Sequence, residues 1–239
     1  MTSKEHKISG ETFVFTSEHA LFWPKRNTLV ISDLHLGKAE TFQQNGLWLP
    51  AEAQHTDLKT IKNLLNEFDA AELYILGDLI HTAKGMTAQL IDGFANWSQT
   101  LNAKITVTTG NHDQSFFEKR WPHSWNHITP VDSIVVDHFL FQHEPDLSEI
   151  KNEYDLSNTL PAADARAKIN FAWYGHLHPK IRLDDGVLKT RVSCFYLKAT
   201  QGFLPAFSSL AGGETIHLGR GETAVAVDRN EGWLGLVHQ

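Results

Sequence analysis

The chain has 239 residues, of which 41% are hydrophobic, and its formal net charge at pH 7 is −7. This length fits a single domain, residues 1–239, with a sizeable core. No apolar run approaches the length of a membrane span, and the N-terminus lacks the apolar stretch of a signal peptide. The single cysteine, Cys194, excludes an internal disulfide. These features predict a cytoplasmic protein without a membrane segment.

The charge also bears on possible partners. An obligate nucleic-acid binder would usually be more basic, so the acidic balance argues mildly against one. Two bound divalent cations would nevertheless add four positive charges at the place that a phosphate must reach. The 14 histidines are many for this length and require an explanation.

The first half of the chain alternates between predicted strands and helices. Strands are predicted in "TLVISDLH", "ELYILGDL" and "KITVTTGNHD". Pro50 can open the first helix between them, with apolar residues at helical spacing at Leu58, Ile61, Leu64, Leu65 and Phe68. A second helix is predicted from Leu90, Ile91, Phe94, Trp97 and Leu101. This alternation is typical of stacked βαβ units.

The second half begins with two more predicted strands, "DHFLFQHEP" and "FAWYGHLHP". Between them, the polar stretch from Glu144 to Ala167 is interpreted as a loop or small insertion near the site. From about Val187, short apolar runs alternate with glycine turns. That change predicts a second, antiparallel sheet edge within the same domain.

Each of the five predicted strands ends in polar residues of similar chemistry. These residues are Asp33 and His35; Asp78, with His81 three further on; Asn111, His112 and Asp113; His143; and His176 and His178. In open α/β sheets the carboxyl ends of the strands line one crevice, so these side chains should converge. We interpret Gly175 as the residue that lets the chain turn in front of the last two histidines.

Each of these residues also has an ordinary structural interpretation. Asp33 or Asp78 could cap a helix, Gly110-Asn111 is a common turn dipeptide, and His143 could be a loop histidine. His81 fits a surface or supporting role better than that of a ligand. Such explanations would have to hold at five successive strand ends, each with nitrogen or oxygen ligand atoms. The joint pattern therefore favours a metal site.

The donor set indicates which metal chemistry to expect. Aspartate, asparagine and histidine supply oxygen and nitrogen without sulfur, a mixture that suits Mn²⁺, Fe or Zn²⁺. The set is too large for one tetrahedral ion. Two ions about 3.5–4 Å apart can share a carboxylate and lower the pKa of a bound water. A histidine near its ordinary pKa can then supply a proton to the leaving oxygen.

The ordered motifs Asp-x-His, Gly-Asp, Gly-Asn-His-Asp, a lone His and Gly-His-x-His resemble those of the calcineurin-like metallophosphoesterases, over about Val30 to Pro179. The resemblance implies an α/β fold, a four-layer αββα sandwich. It also implies that Asp33, His35 and His178 hold one metal, that Asn111, His143 and His176 hold the other, and that Asp78 bridges them. By the same resemblance, His112 is the general acid or transition-state stabiliser, and Asp113 orients it.

A narrower resemblance uses "SDLHLGK", "GDLIH", "GNHD", "HEP", "GHLHP" and "FLPAFSSLAGG". His81 stands where many members of the family carry Asp or Arg. Together the motifs look like those of the bacterial DNA-ligase-associated metallophosphoesterases. This implies a manganese-type phosphoesterase or endonuclease of DNA repair, with a DNA ligase and helicase as possible partners. The segment from Leu204 to Phe207 is interpreted as a packing loop beside the site.

Three functions follow from these patterns. The leading one is a two-metal phosphoesterase that cleaves phosphodiester bonds, most plausibly in DNA or RNA. The alternative is a small-molecule phosphodiesterase or pyrophosphatase for cyclic nucleotides or nucleotide conjugates, which the acidic charge favours slightly. A non-catalytic scaffold is the third, and intact ligands argue against it because a buried charged cluster is costly without metal.

Two further groups of residues could contact a substrate. Lys38, Arg182 and Arg191 could touch a phosphate, although a solvated surface role fits each better. Trp48, Trp173 and Phe207 could stack on a base, and core packing fits each of them better.

Overall fold

Two sheets lie face to face at the centre of the molecule. The computed structural model describes residues 1–50, 52–145, 169–184 and 189–238. The first sheet has seven strands in chain order: β1 (Ser3–Ile8), β2 (Glu11–Thr16), β3 (Leu21–Trp23), β4 (Thr28–Ile31), β5 (Glu72–Leu76), β6 (Lys104–Thr108) and β7 (Ile128–Val131). Strands β1 to β4 pair antiparallel, and β4 to β7 pair parallel.

The second sheet contains the remaining described strands. They are β8 (Ile134–Val136), β9 (Phe139–Gln142), β10 (Phe171–Tyr174), β11 (Lys180–Asp184), β12 (Lys189–Leu197), β13 (Gln201–Phe203), β14 (Thr223–Asp228) and β15 (Trp233–His238). The order is β15-β14-β12-β13-β10-β9-β8, with β11 paired to β12. Strand β10 pairs parallel with β9 and β13, while β12, β14 and β15 pair antiparallel. The antiparallel region predicted after Val187 is therefore present, although Val187 itself lies outside the described residues.

Four helices accompany the strands in the described ranges: α1 (Lys38–Gln44), α2 (Glu52–Glu67), α3 (Ala88–Gln99) and α4 (Gln114–Arg120). Short 3₁₀ turns lie at Pro24–Arg26 and His123–Trp125. Helices α2 and α3 are those that the apolar spacing predicts. Leu58, Ile61 and Leu64 of α2 are buried against the first sheet, and the Thr87 hydroxyl caps α3 by accepting from the Leu90 N–H at 3.2 Å.

Two apolar layers hold these elements together. One lies between the helices and the first sheet, and it includes Phe94 and Trp125. The other lies between the sheets and is rich in aromatic rings. In this layer the Phe13 ring packs edge-on against Trp173, with 5.4 Å between ring centroids. The fold class predicted from the sequence, a mixed α/β sandwich of the metallophosphoesterase type, is confirmed.

The outer face of the second sheet is covered differently from the first. Among the described residues, Leu177, Ile216 and Leu218 pack on this face, and none of the described helices does. The fourth layer of the predicted αββα sandwich therefore does not appear in the described part of the chain. Most of the segment interpreted as a loop, Glu144 to Ala167, also lies outside the described residues.

The structure differs from the sequence prediction in where the strands lie. Strands β9 and β10, which end just before His143 and His176, belong to the second sheet rather than continuing the first. The antiparallel strands β1 to β3 at the edge of the first sheet were not predicted. Local periodicity does not report which sheet a strand joins, because that depends on pairing with distant segments.

Candidate metal centre

The predicted site residues converge where the two sheets meet. Backbone hydrogen bonds join the strand ends: the Asp33 N–H donates to the Gly77 carbonyl at 3.1 Å, and His35 donates to the Asp78 carbonyl at 2.9 Å. Within the second sheet, the Gly175 N–H donates to the His143 carbonyl at 2.9 Å. Across the sheets, the His176 N–H donates to Asp33 Oδ2 at 3.1 Å. The structure therefore brings both histidine-bearing strands of the second sheet to the carboxyl edge of the first.

The backbone is unusual at most of the candidate ligands. Asp33, His35, Asp78, His176 and His178 all have positive φ, between +46° and +62°. Non-glycine residues seldom adopt this conformation, although Asp and His tolerate it better than most. Such strained positions persist where the surrounding structure fixes them, and they cluster at functional sites.

The first group of candidate ligands is Asp33, His35 and His178. Their ligand atoms lie within 4.8 Å of one another, and His178 Nε2 is 3.0 Å from Asp33 Oδ1. Within the described residues, both ring nitrogens of His35 are buried without a hydrogen-bond partner. A buried polar atom left unpaired costs roughly 1–3 kcal/mol, and coordination to a cation would remove that cost.

The second group is Asp78, His143 and His176, joined by Asn111. His143 Nε2 lies 3.1 Å from Asn111 Oδ1 and 3.2 Å from His176 Nδ1. The other nitrogen of His143, Nδ1, donates to the Leu76 carbonyl at 2.9 Å, which leaves Nε2 as a lone-pair donor. Lone pairs of nitrogen and oxygen therefore face one another, as they would around a metal ion.

Asp78 lies between the two groups. Its Oδ2 atom is 3.9 Å from His35 Nε2, and its Oδ1 atom is 3.4 Å from His143 Nε2. A carboxylate with one oxygen near each group has the geometry of a bridging ligand. The seven candidate ligands fit two divalent ions with nitrogen and oxygen ligands and no sulfur.

The protonation of the two aspartates reflects their burial. Burial alone would raise the pKa of Asp33, but the hydrogen bond and charge of His178, with His143 and His35, outweigh it and lower this pKa. Burial raises the pKa of Asp78, and the neighbouring Asp33 carboxylate adds to the rise. Cations bound beside these two buried carboxylates would stabilise the charged form of both.

His112 lies beside Asp78 and is held by the loop that carries His81. Its Nδ1 donates to the His81 carbonyl at 2.6 Å, and its ring stacks on the His81 ring with 5.3 Å between centroids. Its Nε2 lies 3.8 Å from Asp78 Oδ2, and the side chain is 35% exposed. A substrate atom can reach this nitrogen from solvent.

The contacts of Asp113 differ from those predicted. The resemblance implies that Asp113 orients His112, whereas its carboxylate accepts backbone N–H groups of Leu79, Ile80 and Gly110 at 3.0–3.2 Å. Burial raises the pKa of Asp113 to about 7, against the effect of these donors. Asp113 thus fixes the two loops that present Asp78 and Asn111, and the His81 carbonyl orients His112 instead.

Gly175 also serves a different purpose from the one expected. Its φ is not positive, and the left-handed turn falls on His176 and His178. A Cβ atom at Gly175 would lie 2.7 Å from the Leu76 carbonyl oxygen and 2.8 Å from Asp33 Oδ2. The glycine therefore allows the two sheets to approach closely at the site.

Two residues beside the candidate ligands were not predicted to support the site. Glu144 Oε2 lies 3.4 Å from His176 Nε2, the nitrogen that points away from the second group. A carboxylate on the outer nitrogen of a metal-binding histidine commonly fixes its orientation. Lys38, interpreted as a surface charge, is half-buried, and burial lowers its pKa while the Asp33 and Asp78 carboxylates oppose that effect. For Glu144, the sequence feature that could have indicated this contact is its position directly after His143.

The three aromatic residues considered for base stacking lie in different environments. Trp173 and Phe207 are fully buried in the two apolar layers, whereas Trp48 is 75% exposed. Trp48 follows Leu47, whose N–H donates to the Phe42 carbonyl at 2.9 Å. The Phe42 ring in turn lies 6.0 Å from that of His81. Only Trp48 of these three remains available to a ligand.

The fold and the site together define a class of protein. A profile of the calcineurin-like phosphoesterases matches residues 26–189, a range that includes every candidate ligand. The chain belongs to the calcineurin-like phosphoesterase family and is a metal-dependent hydrolase of phosphoesters. No curated protein matches the sequence.

The crystal structure of one similar protein has the same fold. The crystal structure of Pseudomonas putida nuclease MPE is 24% identical, with a TM-score of 0.74 over 99% of this chain and 100% of that one. An archaeal phosphodiesterase is 14% identical over 88% and 98% of the two chains, with a TM-score of 0.40. A phosphoesterase from E. coli is 13% identical over 88% of this chain and 97% of that one, also with a TM-score of 0.40.

None of the described helices is long and apolar enough to cross a membrane.

Proposed function

We propose that this protein is a two-metal phosphodiesterase that hydrolyses phosphodiester bonds in nucleic acid, with Mn²⁺ as its preferred ion. The observation that carries the proposal is Asp78, whose two oxygens face two separate groups of ligands. Asp33, His35 and His178 would hold one ion. Asn111, His143 and His176 would hold the other. When bound, such a pair polarises phosphoryl oxygens and makes water a nucleophile near neutral pH.

The chain's own side chains have distinct tasks in this reaction. His112, held through Nδ1 by the His81 carbonyl, presents Nε2 to donate a proton to the leaving oxygen. Lys38 supplies a positive charge beside the carboxylates, where it can bind a phosphate oxygen. Asp113 keeps the Asp78 and Asn111 loops in register through three backbone hydrogen bonds.

Two observations support nucleic acid as the substrate. The first is the narrower resemblance to the DNA-ligase-associated metallophosphoesterases, which also suggests a role in DNA repair beside a ligase and a helicase. The second is the similarity in fold, over nearly the whole of both chains, to a nuclease. The exposed Trp48 ring offers a surface on which a base can stack.

The alternative substrate is a small phosphodiester or a pyrophosphate. The net charge of −7 supports it, because an acidic surface disfavours long polyanions. A small nucleotide would need little contact beyond the metal centre.

A substrate screen with added Mn²⁺ separates the two. Single-stranded DNA, duplex DNA, RNA, cyclic nucleotides and bis-p-nitrophenyl phosphate are compared at equal concentration, with the Asp78→Asn variant as the blank. We expect one of the polymers to be cleaved, and single strands to be preferred. Turnover of cyclic nucleotides or conjugates a hundredfold faster than that of any polymer would replace this proposal with the alternative.

Trp48 provides a sharper test of polymer binding. Trp48→Ala should raise KM for single-stranded DNA and leave turnover of bis-p-nitrophenyl phosphate unchanged, because that substrate has no neighbouring nucleotides to place on an exposed ring. Trp233, the other exposed tryptophan, is 42% exposed and lies on β15 at the edge of the second sheet. Trp233→Ala is therefore the matched control and should change neither quantity.

A further inference from the structure

The segment Leu204 to Ser209 (the 204–209 segment) lies against the strand end that carries Asp33. The Phe207 N–H donates to the Ser32 carbonyl at 2.8 Å, and the Ser208 N–H donates to the Asp33 carbonyl at 3.1 Å. The Ser32 hydroxyl donates in return to the Pro205 carbonyl at 3.3 Å. A candidate metal ligand therefore has its backbone held by a segment about 170 residues away in the sequence.

Arg229, just after β14, holds this segment from the other side. Its Nη2 donates to the Phe207 carbonyl at 3.0 Å and to the Glu18 carbonyl at 2.9 Å. Its guanidinium lies 4.6 Å from the centre of the Phe207 ring. The planar fork of arginine can make these contacts at once, which a lysine cannot.

Asp57 completes the arrangement from helix α2. It is 1% exposed, and its Oδ1 accepts from Arg229 Nη1 at 2.9 Å. Its Oδ2 accepts from the N–H and the hydroxyl of Ser209 at 3.1 Å and 3.3 Å. Burial raises the pKa of Asp57, while Arg229 and Ser209 oppose that rise. A buried ion pair contributes little net stability. Stability alone therefore does not explain the pair of Asp57 and Arg229.

We propose that Arg229, Asp57 and Ser209 are positioning residues of the metal centre. Together they press the 204–209 segment onto the Ser32–Asp33 backbone and so keep Asp33 in its left-handed conformation, at φ +56°. In that conformation the Asp33 carboxylate accepts the His176 N–H at 3.1 Å and faces His178. None of the three touches a candidate ligand's side chain, and their effect passes through the backbone.

The inference rests on the metal centre and not on the identity of the substrate. If these residues had only a structural role, replacing them would lower the thermal stability of the protein and leave its metal affinity unchanged. If they position the metal centre, replacing them would weaken metal binding even at temperatures well below that of unfolding. Supporting residues around metal ligands commonly change metal affinity by about 10- to 100-fold.

The test measures Mn²⁺ binding to the full chain by the electron paramagnetic resonance signal of free Mn²⁺, at a temperature where every variant is folded. Asp57→Asn keeps the shape of the side chain and removes one of two carboxylate charges that pair with Arg229. The other belongs to Glu18, whose Oε2 lies 3.2 Å from Arg229 Nε. We expect the Kd of at least one of the two ions to rise about 10-fold or more. Arg229→Lys, which keeps the positive charge but loses the planar guanidinium, should also raise this Kd.

Ile61→Val is the matched control for stability, because Ile61 is fully buried on the same helix and takes no part in these contacts. It should lower Tm and leave both Kd values unchanged. If Asp57→Asn does not fold, Ser209→Ala, which retains the backbone N–H, is measured in its place. Kd values within twofold of wild type in the folded variants would overturn the proposal. Wild-type protein that binds two ions but cleaves no nucleic acid would overturn only the proposed function.

Discussion

Asp78 places one carboxylate oxygen near each group of candidate ligands. Replacing it by asparagine leaves a single neutral oxygen, so Asp78→Asn should weaken binding of both ions and remove nearly all activity. Metal content after dialysis and hydrolysis of bis-p-nitrophenyl phosphate check this. Asp69→Asn is a matched control, because Asp69 also has a positive φ, +49°, but lies exposed in the turn after α2. Loss of only one ion in Asp78→Asn would argue against a bridging role.

His112 should affect the rate without affecting the metals. Its Nε2 lies 3.8 Å from Asp78 and is held in place through the His81 carbonyl. His112→Ala should lower the rate by about 10²–10⁴-fold, the usual size of a general acid contribution. Metal content, measured by elemental analysis, should stay near that of wild type. A variant that lost its metal would instead make His112 a ligand.

His19 makes stability depend on pH. Its Nδ1 donates to the Ala206 carbonyl at 2.8 Å, and burial, with the nearby charges of Arg229 and Lys180, lowers its pKa from 6.5 to about 3. Between these values the unfolded chain binds a proton that the folded chain does not, so this contribution to stability is full above pH 6.5 and is lost as the pH falls towards 3.

The variant His19→Asn removes this titration, and asparagine tolerates the φ of +64° at this position. Thermal unfolding of chelator-treated protein should show that Tm falls less steeply for the variant than for wild type between pH 6.5 and pH 4. Parallel curves for the two proteins would contradict the assignment.

Much of the candidate site could be predicted at the residue scale. Aspartate, asparagine and histidine at successive strand ends are visible in the sequence, and the fold brings them together. The support around them could not be predicted in the same way. The partner of His112 is a backbone carbonyl, and any residue at position 81 would supply one. The contacts of Glu144 and Lys38 depend on side-chain directions that only the folded chain defines.

At the scale of elements, the join between the two sheets is the most constrained region. The Cβ of an alanine at Gly175 would lie 2.7 Å from the Leu76 carbonyl oxygen and 2.8 Å from Asp33 Oδ2. Gly175→Ala should therefore cost about 1–3 kcal/mol of stability, as overpacking does, and weaken binding of the ion near Asp33. Gly212→Ala is the control, because nothing lies within 4 Å of its Cβ. Equal Tm and equal Mn²⁺ affinity in the two variants would contradict this account.

Helices and strands could be predicted where an apolar pattern extended over enough residues. Helix α2 and the strands β4, β5 and β6 have periodic or continuous apolar residues, and each appears where predicted. Strands β1 to β3 were missed, although "ETFVFT" in β2 is rich in residues that favour strands. Only pairing with β4 makes these strands part of the first sheet, and pairing across a fold is not a local property.

At the scale of the whole molecule, charge sets the expected mode of substrate binding. A chain of net charge −7 with Lys38 beside its site should contact few phosphates away from the metals. Binding of single-stranded DNA should then weaken only modestly with salt. The slope of log K against log salt should stay well below that of a protein with roughly 6–10 phosphate contacts. Fluorescence anisotropy with Mn²⁺ and the slow His112→Ala variant, read before appreciable cleavage, measures this slope. A steep slope would contradict the expectation, because it would indicate many phosphate contacts on a basic surface.

The central claim is that two metal ions share Asp78 at the junction of the two sheets. Anomalous diffraction at the manganese edge, from crystals grown with Mn²⁺, tests it most directly. We expect two peaks, one among Asp33, His35 and His178 and the other among Asn111, His143 and His176, with Asp78 between them. A single peak, or peaks away from these side chains, would contradict it.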